Sequence, residues 1–501
     1  MLLSRRRLLA LGLAGSSALV LPRSILHGRD RPADRGQDTP GGVPSTRTLG
    51  SPPVEPFTRP LIIPPVLEPV ATDEATDYYV LTMDQAQVEI IPGTFTTFWG
   101  YSSIYPGPTI KARTGRRAVV RHVNNLPESM SIHLHGGHTP PTSDGHPYDL
   151  IAPGDSKDYD YPNIQIPAVL WYHDHAVDTT GRHVYMGLAG FYLMTDELED
   201  ALPLPTGVND VPLLIQDRLF NEDGSLNYPL NDETIAAGVL GDRILVNGVI
   251  QPFFDVARRK TRFRVVNGSN ARRYTLGLSS GDPFIQLGSD GGLLSRPVQR
   301  STIRISPAER VDVVIDFSRY DLGTILILTN QDGAPEPNLT DMMQFRVTRD
   351  EPDESVIPEV LRPVVPIPEE LAVTTRDFVL EQRLINGRNL WTINARLFDP
   401  AYVEATPRLG DVEIWQFINT SYDAHPVHIH DIQWQILDIN GVRPPAGEDG
   451  WKDTFRVPAL GRLRVIGRFE NQTGLYVFHC HKLEHEDHAM MAQFEVLPAT
   501  G

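Results

Sequence analysis

Cysteine is nearly absent from this chain, since its 501 residues contain only Cys480. A single thiol rules out a disulfide within the chain, and with it a small secreted scaffold held by disulfides. Basic side chains are also scarce, because 45 Lys and Arg face 63 Asp and Glu, and the net charge is −18. Nucleic-acid binding needs clustered Lys and Arg, so this composition argues against a nucleic-acid partner.

The apolar stretch near the N-terminus, LLALGLAGSSALVL, is too short to span a bilayer. It follows Arg5, Arg6 and Arg7, and a basic segment before a short apolar one is typical of a secretory signal. The letters SRRRLL fit the twin-arginine type. We expect residues 1–27 to be such a signal, with an uncleaved membrane anchor as the alternative. Residues 28–56, rich in Pro, Gly, Arg and Asp, are expected to form a disordered linker.

Proline and glycine are abundant, with 43 and 40 residues, as expected for many short strands joined by turns. Three segments repeat one pattern, an alternating strand that ends in Asn: RRAVVRHVNN, KTRFRVVNGS and DVEIWQFINT. Such alternation predicts β-sandwich units, and this length is too great for one hydrophobic core. We predict three sandwich domains and a Pro-rich connection before the third. The predicted boundaries are residues 57–200 for the first domain, 201–350 for the second, 351–372 for the connection and 373–501 for the third.

Histidines are concentrated in four short clusters, HLH, HDH, HPVHIH and HCHKLEH, two in the predicted first domain and two in the predicted third. Residues two apart on a strand point to the same side, so each His-x-His pair presents two imidazoles on one face. A lone pair has an ordinary structural explanation, but four pairs at related positions indicate a metal site. Imidazole suits copper or zinc. The middle repeat lacks such histidines, and we expect it to be a spacer that binds no metal.

Cys480 discriminates between the two metals. Strand alternation sends its side chain to the face opposite the two histidines that flank it. With His425, His485 and Met490 it offers two imidazoles, a thiolate and a weak axial thioether, which is the ligand set of a blue-copper electron-transfer site. Zinc gains nothing from a long methionine bond and carries no electron. We therefore predict that Cys480 connects a one-electron copper site to a histidine-rich cluster.

The segments HLHGG, LWYHDHA, HPVHIH and HCHKLEHEDHAM resemble the four copper signatures of three-domain multicopper oxidases, in the same order. The resemblance extends from about residue 76 to the end. Segments such as PTSDG, PAERVDVVIDF and GWKDT are similar to bacterial spore-coat-type laccases, with bilirubin oxidase and phenoxazinone synthase nearby. The resemblance implies an all-β fold of three consecutive cupredoxin-like (Greek-key) sandwiches. It also implies four copper ions per chain, one type 1, one type 2 and two type 3.

The resemblance further implies which residues hold each copper, with the trinuclear cluster between the first and third domains. For the type 1 copper the ligands would be His425, Cys480 and His485, with Met490 axial. For the type 2 copper they would be His133 and His428. For the type 3 coppers they would be His135, His173 and His479 around one ion, and His175, His430 and His481 around the other. Among the histidines outside this scheme, four near the motifs are expected behind the ligands or at the surface: His138, His146, His183 and His488.

Two carboxylates are candidate proton relays. Reducing O₂ to water consumes protons that neutral imidazole ligands cannot supply, so a positioned acid is expected near the cluster. Glu486 directly follows the ligand His485, and Asp144 lies just past HLHGG. The resemblance points to the same two residues. The alternative is that they are ordinary surface or capping carboxylates.

The expected activity is that of a laccase, the one-electron oxidation of phenols, aromatic amines and dyes at the type 1 copper, coupled to reduction of O₂ to water. A reductant would deliver its electron through the exposed edge of a type 1 histidine. Small aromatic reductants and O₂ are the expected partners, with no membrane after signal removal. We expect a monomer, exported to the periplasm or beyond in a bacterium.

Bilirubin oxidase and a cuprous or manganese oxidase are the alternatives within the family. Only nine Met and no Met-rich run argue against cuprous oxidation, and Asp423 stands where bilirubin oxidases carry a Trp. Outside the laccase type, a copper carrier or coat protein does not need the histidine clusters. A metal-dependent hydrolase has no use for the Cys and Met ligands. A copper nitrite reductase normally has two domains per chain.

Overall fold

The computed structural model of this protein describes residues 50–333 and 337–500. The predicted signal, residues 1–27, lies outside the described residues, as does most of the predicted linker. Strands dominate the described residues and form three pairs of sheets along the chain, which confirms the predicted all-β fold class. Within this part of the chain, no helix is both long and apolar enough to cross a membrane.

The first pair of sheets, here called the first sandwich, occupies residues 71–195. Its strands are β1 (Ala71–Thr72), β2 (Thr76–Val88), β3 (Thr96–Tyr101), β4 (Gly107–Arg113), β5 (Arg117–Asn124), β6 (Ile132–His135), β7 (Ser156–Tyr161), β8 (Val169–Asp174) and β9 (Ala189–Thr195). One sheet has the order β1-β2-β5-β7 with β3 on β2, and the other has the order β4-β9-β8-β6. One apolar core joins the two sheets. Two helices, α1 (Thr180–Met186) and α2 (Glu197–Asp200), and a 3₁₀ turn (Pro141–Ser143) complete this region.

The second sandwich occupies residues 210–349. Its strands are β10 (Asp210–Phe220), β11 (Leu226–Asn227), β12 (Arg243–Val246), β13 (Val249–Ile250), β14 (Phe253–Ala257), β15 (Lys260–Asn267), β16 (Tyr274–Leu278), β17 (Phe284–Ser289), β18 (Gly292–Arg300), β19 (Ile303–Ile305), β20 (Arg310–Asp316), β21 (Ile325–Asn330) and β22 (Asp341–Arg349). The sheet orders are β13-β12-β10-β15-β20-β17-β18, with β11 on β10, and β14-β22-β21-β16-β19. Its helices are α3 (Asp232–Ala237) and α4 (Pro337–Thr340), and its 3₁₀ turns are Gly207–Asn209 and Phe317–Arg319.

The third sandwich occupies residues 372–496. Its strands are β23 (Ala372–Ile385), β24 (Arg388–Ile393), β25 (Val412–Asn419), β26 (His425–Ile429), β27 (Trp434–Ile439), β28 (Thr454–Val457), β29 (Arg462–Arg468), β30 (Gly474–Cys480) and β31 (Met491–Val496). The sheet orders are β24-β23-β25-β29-β27 and β28-β26-β30-β31. A short helix, α5 (Leu483–Asp487), follows β30, and a 3₁₀ turn (Glu369–Leu371) precedes β23.

The repeated Asn at the end of three strands has a structural reason. Asn124, Asn267 and Asn419 end β5, β15 and β25, and each of these strands runs parallel to the first long strand of its sandwich. Each Asn side chain donates to two backbone carbonyls and accepts from the backbone N–H two residues later. These bonds satisfy backbone groups of the loop that carries the chain from one sheet to the other. The next strand, β6 or β26, then carries the first histidines of its cluster.

The segment before the first sandwich packs on the second sandwich instead. Ser51 is 5% exposed and bonds to Asp242 through its backbone N–H and its hydroxyl. The N–H of Phe57 donates to the carbonyl of Gln251, and Leu61 is buried in the core of the second sandwich. The described end of the predicted 28–56 linker is therefore ordered. The residues that follow it were predicted to begin the first domain, but they pack against the second sandwich.

The Pro-rich connection is extended and lies on neighbouring structure. The N–H of Val356 donates to the carbonyl of Pro203, and the N–H of Leu361 donates to the carbonyl of Ser295. Leu361 is buried in a small apolar cluster with residues of the second sandwich. Proline fixes the backbone of such a segment at little entropic cost, and the segment delivers the chain to β23.

Candidate metal centres

One candidate metal centre, here called the thiolate cluster, consists of His425, Cys480 and His485, which lie close enough to hold one ion. His425 begins β26, Cys480 ends β30, and His485 lies on α5. The Sγ atom of Cys480 is 3.5 Å from Nδ1 of His425 and 3.6 Å from Nδ1 of His485. All three side chains are 0% exposed. The structure thus brings the predicted thiolate and its two imidazoles together.

Met490, the predicted axial residue, is buried in the same apolar core as Cys480. The N–H of Cys480 donates to the carbonyl of Met490 (3.0 Å), and the N–H of Met490 donates to the carbonyl of His485 (2.9 Å). Burial raises the pKa of the Cys480 thiol to about 12 and lowers the pKa of His425 and His485 well below its usual value. Metal binding requires neutral imidazoles and displaces the thiol proton, so this donor set suits a metal ion.

The Nε2 atoms of the two histidines in the thiolate cluster also have polar partners. Nε2 of His485 donates to the backbone carbonyl of Ala236 (3.0 Å), and Nε2 of His425 lies 3.2 Å from Oγ of Ser421. The prediction that a reductant meets an exposed histidine edge is wrong, because both imidazoles are fully buried. Ala236 of the second sandwich contacts His485, and strand patterns in the sequence carry no sign of that contact.

A second candidate centre, the histidine cluster, combines four histidines of the first sandwich with four of the third. All eight are at most 1% exposed. Strand pairing aligns them, because His133 lies opposite His173 across β6 and β8, and His428 lies opposite His479 across β26 and β30. Three subsets lie close enough to hold an ion each. They are His133, His135 and His428; His135, His173 and His481; and His175, His430 and His479.

Ring nitrogens converge within this cluster. Nε2 of His133 is 3.2 Å from Nε2 of His428. Nε2 of His479 is 3.1 Å from Nε2 of His175 and 3.3 Å from Nε2 of His430. Burial lowers the pKa of His175 to about 3. Neutral imidazoles this close together present lone pairs to a common point, as metal ligands do.

Unsatisfied nitrogens in the same cluster test whether metal ions fit. Among the described residues, Nδ1 of His135, Nε2 of His173 and both ring nitrogens of His481 have no hydrogen-bond partner. A buried polar atom without a partner costs about 1–3 kcal/mol. A metal ion bound by these three residues would use one such nitrogen from each of them. The donor set therefore fits a metal ion in this subset.

The predicted pairing of the type 3 histidines is wrong at two positions. The sequence placed His479 with His135 and His173, but the structure places His481 there. His479 instead joins His175 and His430. The spacing of a His-x-His pair shows that both rings share a face but not which partner each ring meets across the sandwich boundary. That choice depends on how the first and third sandwiches are docked.

Asp144 supports two members of the histidine cluster. Nδ1 of His430 donates to its carboxylate oxygen Oδ2 (2.7 Å), and Nδ1 of His133 donates to its backbone carbonyl (2.6 Å). Thr139 donates to Oδ1 (3.1 Å). Burial raises the pKa of Asp144 well above its usual value. Each hydrogen bond fixes a ring orientation and leaves the opposite nitrogen, Nε2, to face the cluster.

Glu486, the other predicted relay, lies on α5 against the histidine cluster. Its Oε2 atom is 3.0 Å from Nδ1 of His479, and its Oε1 atom is 3.6 Å from Nε2 of His175. The residue is 3% exposed, and burial raises its pKa. The reading of Glu486 as an ordinary surface carboxylate is therefore wrong. Because burial favours the protonated form of this carboxyl group, Glu486 is suited to proton transfer beside the cluster.

Asp453 and Arg310 are supporting residues that the sequence did not reveal. Asp453 accepts from Nδ1 of His428 through its backbone carbonyl (2.9 Å), and its Oδ1 lies 3.1 Å from Nε2 of His135. Burial would raise the pKa of Asp453, but the ion pair with Arg310 holds it well below its usual value. Gly136 of HLHGG leaves room for this pair, since a Cβ there would be 2.6 Å from the guanidinium. The segments GWKDT and PAERVDVVIDF contain Asp453 and Arg310 respectively, but nothing in them indicates that the two side chains form an ion pair.

The four histidines expected behind the ligands or at the surface have other partners. Nδ1 of His183 donates to Asp174, and Nδ1 of His488 donates to the carbonyl of Glu484. None of the four belongs to a candidate metal group among the described residues. The remaining two, His138 and His146, contact Asn471 and Gln493.

A cavity of about 430 Å³ adjoins the thiolate cluster. Ala424 and Pro426, on either side of His425, form part of its wall, and Lys482 lies two residues after Cys480. Ala237, next to the carbonyl that binds His485, closes another side. The second and third sandwiches therefore enclose this cavity together.

The sandwiches and the two clusters define a class of protein, the copper oxidases built from cupredoxin-like units. Family models described as Multicopper oxidase match residues 82–199 and 368–500. The chain belongs to the multicopper oxidase family, and copper is its cofactor, with four ions per chain typical of the family.

Individual relatives are similar in sequence to this chain over most of its length. A laccase of Bacillus subtilis is 38% identical, covering 88% of this chain and 99% of that protein. A bilirubin oxidase of Albifimbria verrucaria is 36% identical, covering 89% of this chain and 82% of that protein. The crystal structure of a laccase from Pediococcus acidilactici superposes with a TM-score of 0.81 at 33% identity, covering 90% of this chain and 95% of that chain.

Proposed function

We propose that this chain is a laccase-type multicopper oxidase, which removes single electrons from small aromatic reductants such as phenols and aromatic amines and transfers them to O₂. One observation carries the proposal. A single stretch at the end of β30 places Cys480 in the thiolate cluster and its neighbours His479 and His481 in two different subsets of the histidine cluster. That arrangement provides a short covalent path between a one-electron site and a site that holds several ions.

The geometry of the two clusters supports a ligand assignment. The type 1 copper would be held by His425, Cys480 and His485, together with Met490, and the type 2 copper by His133 and His428. The type 3 coppers would be held by His135, His173 and His481, and by His175, His430 and His479. Copper bound in these positions supplies one-electron oxidation of the reductant and reduction of O₂ to water.

The chain's own groups orient the rings and handle protons. Asp144 and Asp453 fix the rings of His430 and His428, which sets the nitrogen that faces the metal. A proton on Glu486, beside His479, would be available to O₂ as it is reduced. Asp144 is the second candidate for this role, because its buried carboxyl group is bonded to His430 of the same cluster.

The cavity beside the thiolate cluster is the docking place that we propose for the reductant. Its volume of about 430 Å³ lies in the range of small-molecule sites, about 300–1,000 Å³. Ala424 and Pro426 bring it within one residue of His425. A bound aromatic molecule would transfer its electron through this wall to the buried imidazole. Bilirubin and metal ions are the competing reductants, since a bilirubin oxidase is among the similar proteins.

The test is aerobic turnover of the copper-loaded protein with a dimethoxyphenol, a cationic dye, bilirubin, Cu⁺ and Mn²⁺, with copper counted by metal analysis. We expect the phenol and the dye to give the highest kcat/KM, with O₂ consumed in proportion. Preference for bilirubin or for a metal ion would assign the chain to another branch of the family. Copper binding without O₂ consumption would indicate a carrier.

Export and oligomeric state complete the proposal. The twin-arginine pattern in residues 1–27 supports secretion from a bacterial cell, and we propose that the chain acts as a monomer. Replacing Arg6 and Arg7 by Lys in the full chain is expected to block export, so the oxidase activity should then be found inside the cell. Cell fractionation and size-exclusion chromatography measure the two properties.

A further inference from the structure

The indole of Trp391 covers both histidines of the thiolate cluster. Trp391 lies on β24, and its ring centroid is 4.6 Å from that of His425 and 4.9 Å from that of His485. The indole meets the first ring edge-on, at 72°, and stacks on the second at 28°. Trp391 is itself only 5% exposed. The two imidazoles are therefore confined by an apolar ring that also excludes water from them.

The same indole shares a hydrogen-bond acceptor with His485. The carbonyl of Ala236 accepts from Nε1 of Trp391 (3.0 Å) and from Nε2 of His485 (3.0 Å). A carbonyl oxygen has two lone pairs, so both are used. Ala236 belongs to α3 of the second sandwich, which holds no candidate metal group among the described residues.

Helix α3 is fixed in this position from both ends. Beyond its C-terminus, the N–H of Val239 donates to Oε2 of Glu484 on α5 (3.0 Å). At its N-terminus, Asp232 pairs with Arg388 at the start of β24. The segment after α3 is thus bonded to α5, and the exposed ion pair with Arg388 adds a weaker contact to β24.

We propose that Trp391 is a positioning residue that sets the reduction potential of the metal in the thiolate cluster. Two effects act in the same direction. Excluding water disfavours the more highly charged, oxidised metal ion. Sharing the Ala236 carbonyl weakens the hydrogen bond donated by His485, so this imidazole is a poorer electron donor to the oxidised ion. Both effects raise the potential. The inference rests on the proposed type 1 copper in this cluster.

Two substitutions separate the effects. Trp391→Phe keeps an aromatic cover and removes the N–H, whereas Trp391→Leu removes the ring as well. Redox titration of the blue absorption is expected to show a lower potential in both variants, with the larger shift in Trp391→Leu. The copper hyperfine splitting in EPR is expected to change in the same order. Anaerobic reduction by a phenol should slow, while reoxidation of the reduced enzyme by O₂ should match the wild type.

Trp415→Phe is the matched control. Trp415 is a fully buried indole in the same sandwich, and its Nε1 donates to Glu413 rather than to a carbonyl near the thiolate cluster. It is expected to lose stability without any change in potential. Wild-type potential and EPR in a blue Trp391→Phe variant, which retains the packing ring and is expected to fold, would overturn the proposal. So would an altered KM at unchanged potential, which would assign Trp391 to the cavity wall. A wild-type protein that binds copper but is not blue would instead refute the type 1 assignment itself.

Discussion

The thiolate cluster and the histidine cluster are built in opposite ways. The three residues of the thiolate cluster all belong to the third sandwich, within residues 425–485. The histidine cluster draws half of its rings from the first sandwich, and His133 and His428 face each other across 295 residues of sequence. One centre can form once a single sandwich folds. The other exists only after two sandwiches dock.

The second sandwich supports both centres, although it contributes no candidate ligand among the described residues. Ala236 on α3 accepts from His485 in the thiolate cluster. Arg310 on β20 pairs with Asp453 and also donates to the carbonyl of Val169 in the first sandwich (2.9 Å). The expectation of a mere spacer therefore understates its role. It orients one ligand at the first centre and joins the two halves of the second.

The largest expected effect comes from breaking the connection between the centres. Cys480→Ser removes the thiolate at a fully buried position with little change in volume. The blue absorption and all oxidation of aromatic reductants should be lost, because the one-electron site no longer forms. Visible spectroscopy, EPR and metal analysis should show one copper fewer, with the histidine cluster still loaded. A serine variant that continues to oxidise phenols would mean that electrons enter elsewhere.

Arg310→Met is expected to weaken metal binding in the histidine cluster, which forms between two sandwiches, and to leave the thiolate cluster intact. It leaves Asp453 buried without its cation, and breaking a buried ion pair costs about 3–5 kcal/mol. Denaturant unfolding should show this loss of stability, and metal analysis should show less copper in the histidine cluster while the blue colour remains.

The matched control for this change is Arg121→Met, which removes an exposed pair with Asp158. Exposed pairs contribute about 0–1 kcal/mol, so the control should retain its copper and nearly all its stability. Equal losses in the two variants would contradict the special role of the buried pair.

Glu486→Gln tests proton delivery at the histidine cluster alone. The amide keeps the shape of the side chain but has no transferable proton, so reoxidation of the fully reduced enzyme by O₂ should slow by about 10²–10⁴-fold. Anaerobic reduction of the thiolate cluster should match the wild type in stopped-flow traces. Asp487→Asn, the adjacent buried carboxylate that accepts from the N–H of Gly181, is the control. Slow reduction with normal reoxidation would assign Glu486 to the other centre.

The same contrast explains what the sequence could predict. Strand alternation and the repeated Asn-ended strands predict the all-β fold. The ligand chemistry of a blue-copper site groups Cys480 with His425 and His485, and the three residues meet because they lie on neighbouring elements of one sandwich. The exchange of His479 and His481, and the pairing of Arg310 with Asp453, depend on docking between sandwiches. Periodicity within a strand carries no information about such contacts. The cover provided by Trp391 was not predicted either, because strand periodicity does not show which side chains of one sandwich pack together.

The smallest expected effect is confined to the thiolate cluster and changes its potential. Met490 is fully buried beside Cys480, and replacing it by Leu or Gln alters volume little, so folding should lose less than about 1.5 kcal/mol for the Leu variant. The axial ligand tunes the potential of a blue-copper site. Met490→Leu removes a weak donor and should raise the potential, whereas Met490→Gln offers an oxygen donor that favours the oxidised ion and should lower it.

The neighbouring methionine supplies the control for this last change. Met491 is also buried, but it packs with Phe398 and Val477 in a separate apolar cluster. Met491→Leu should therefore leave the potential unaltered in redox titrations of the blue absorption. If the three variants all titrate at the wild-type potential, Met490 lies outside the coordination shell, and the thiolate cluster holds its metal with three ligands only. Reoxidation by O₂ should be unaffected in the two Met490 variants, because Met490 packs with Cys480 in the apolar core of the third sandwich.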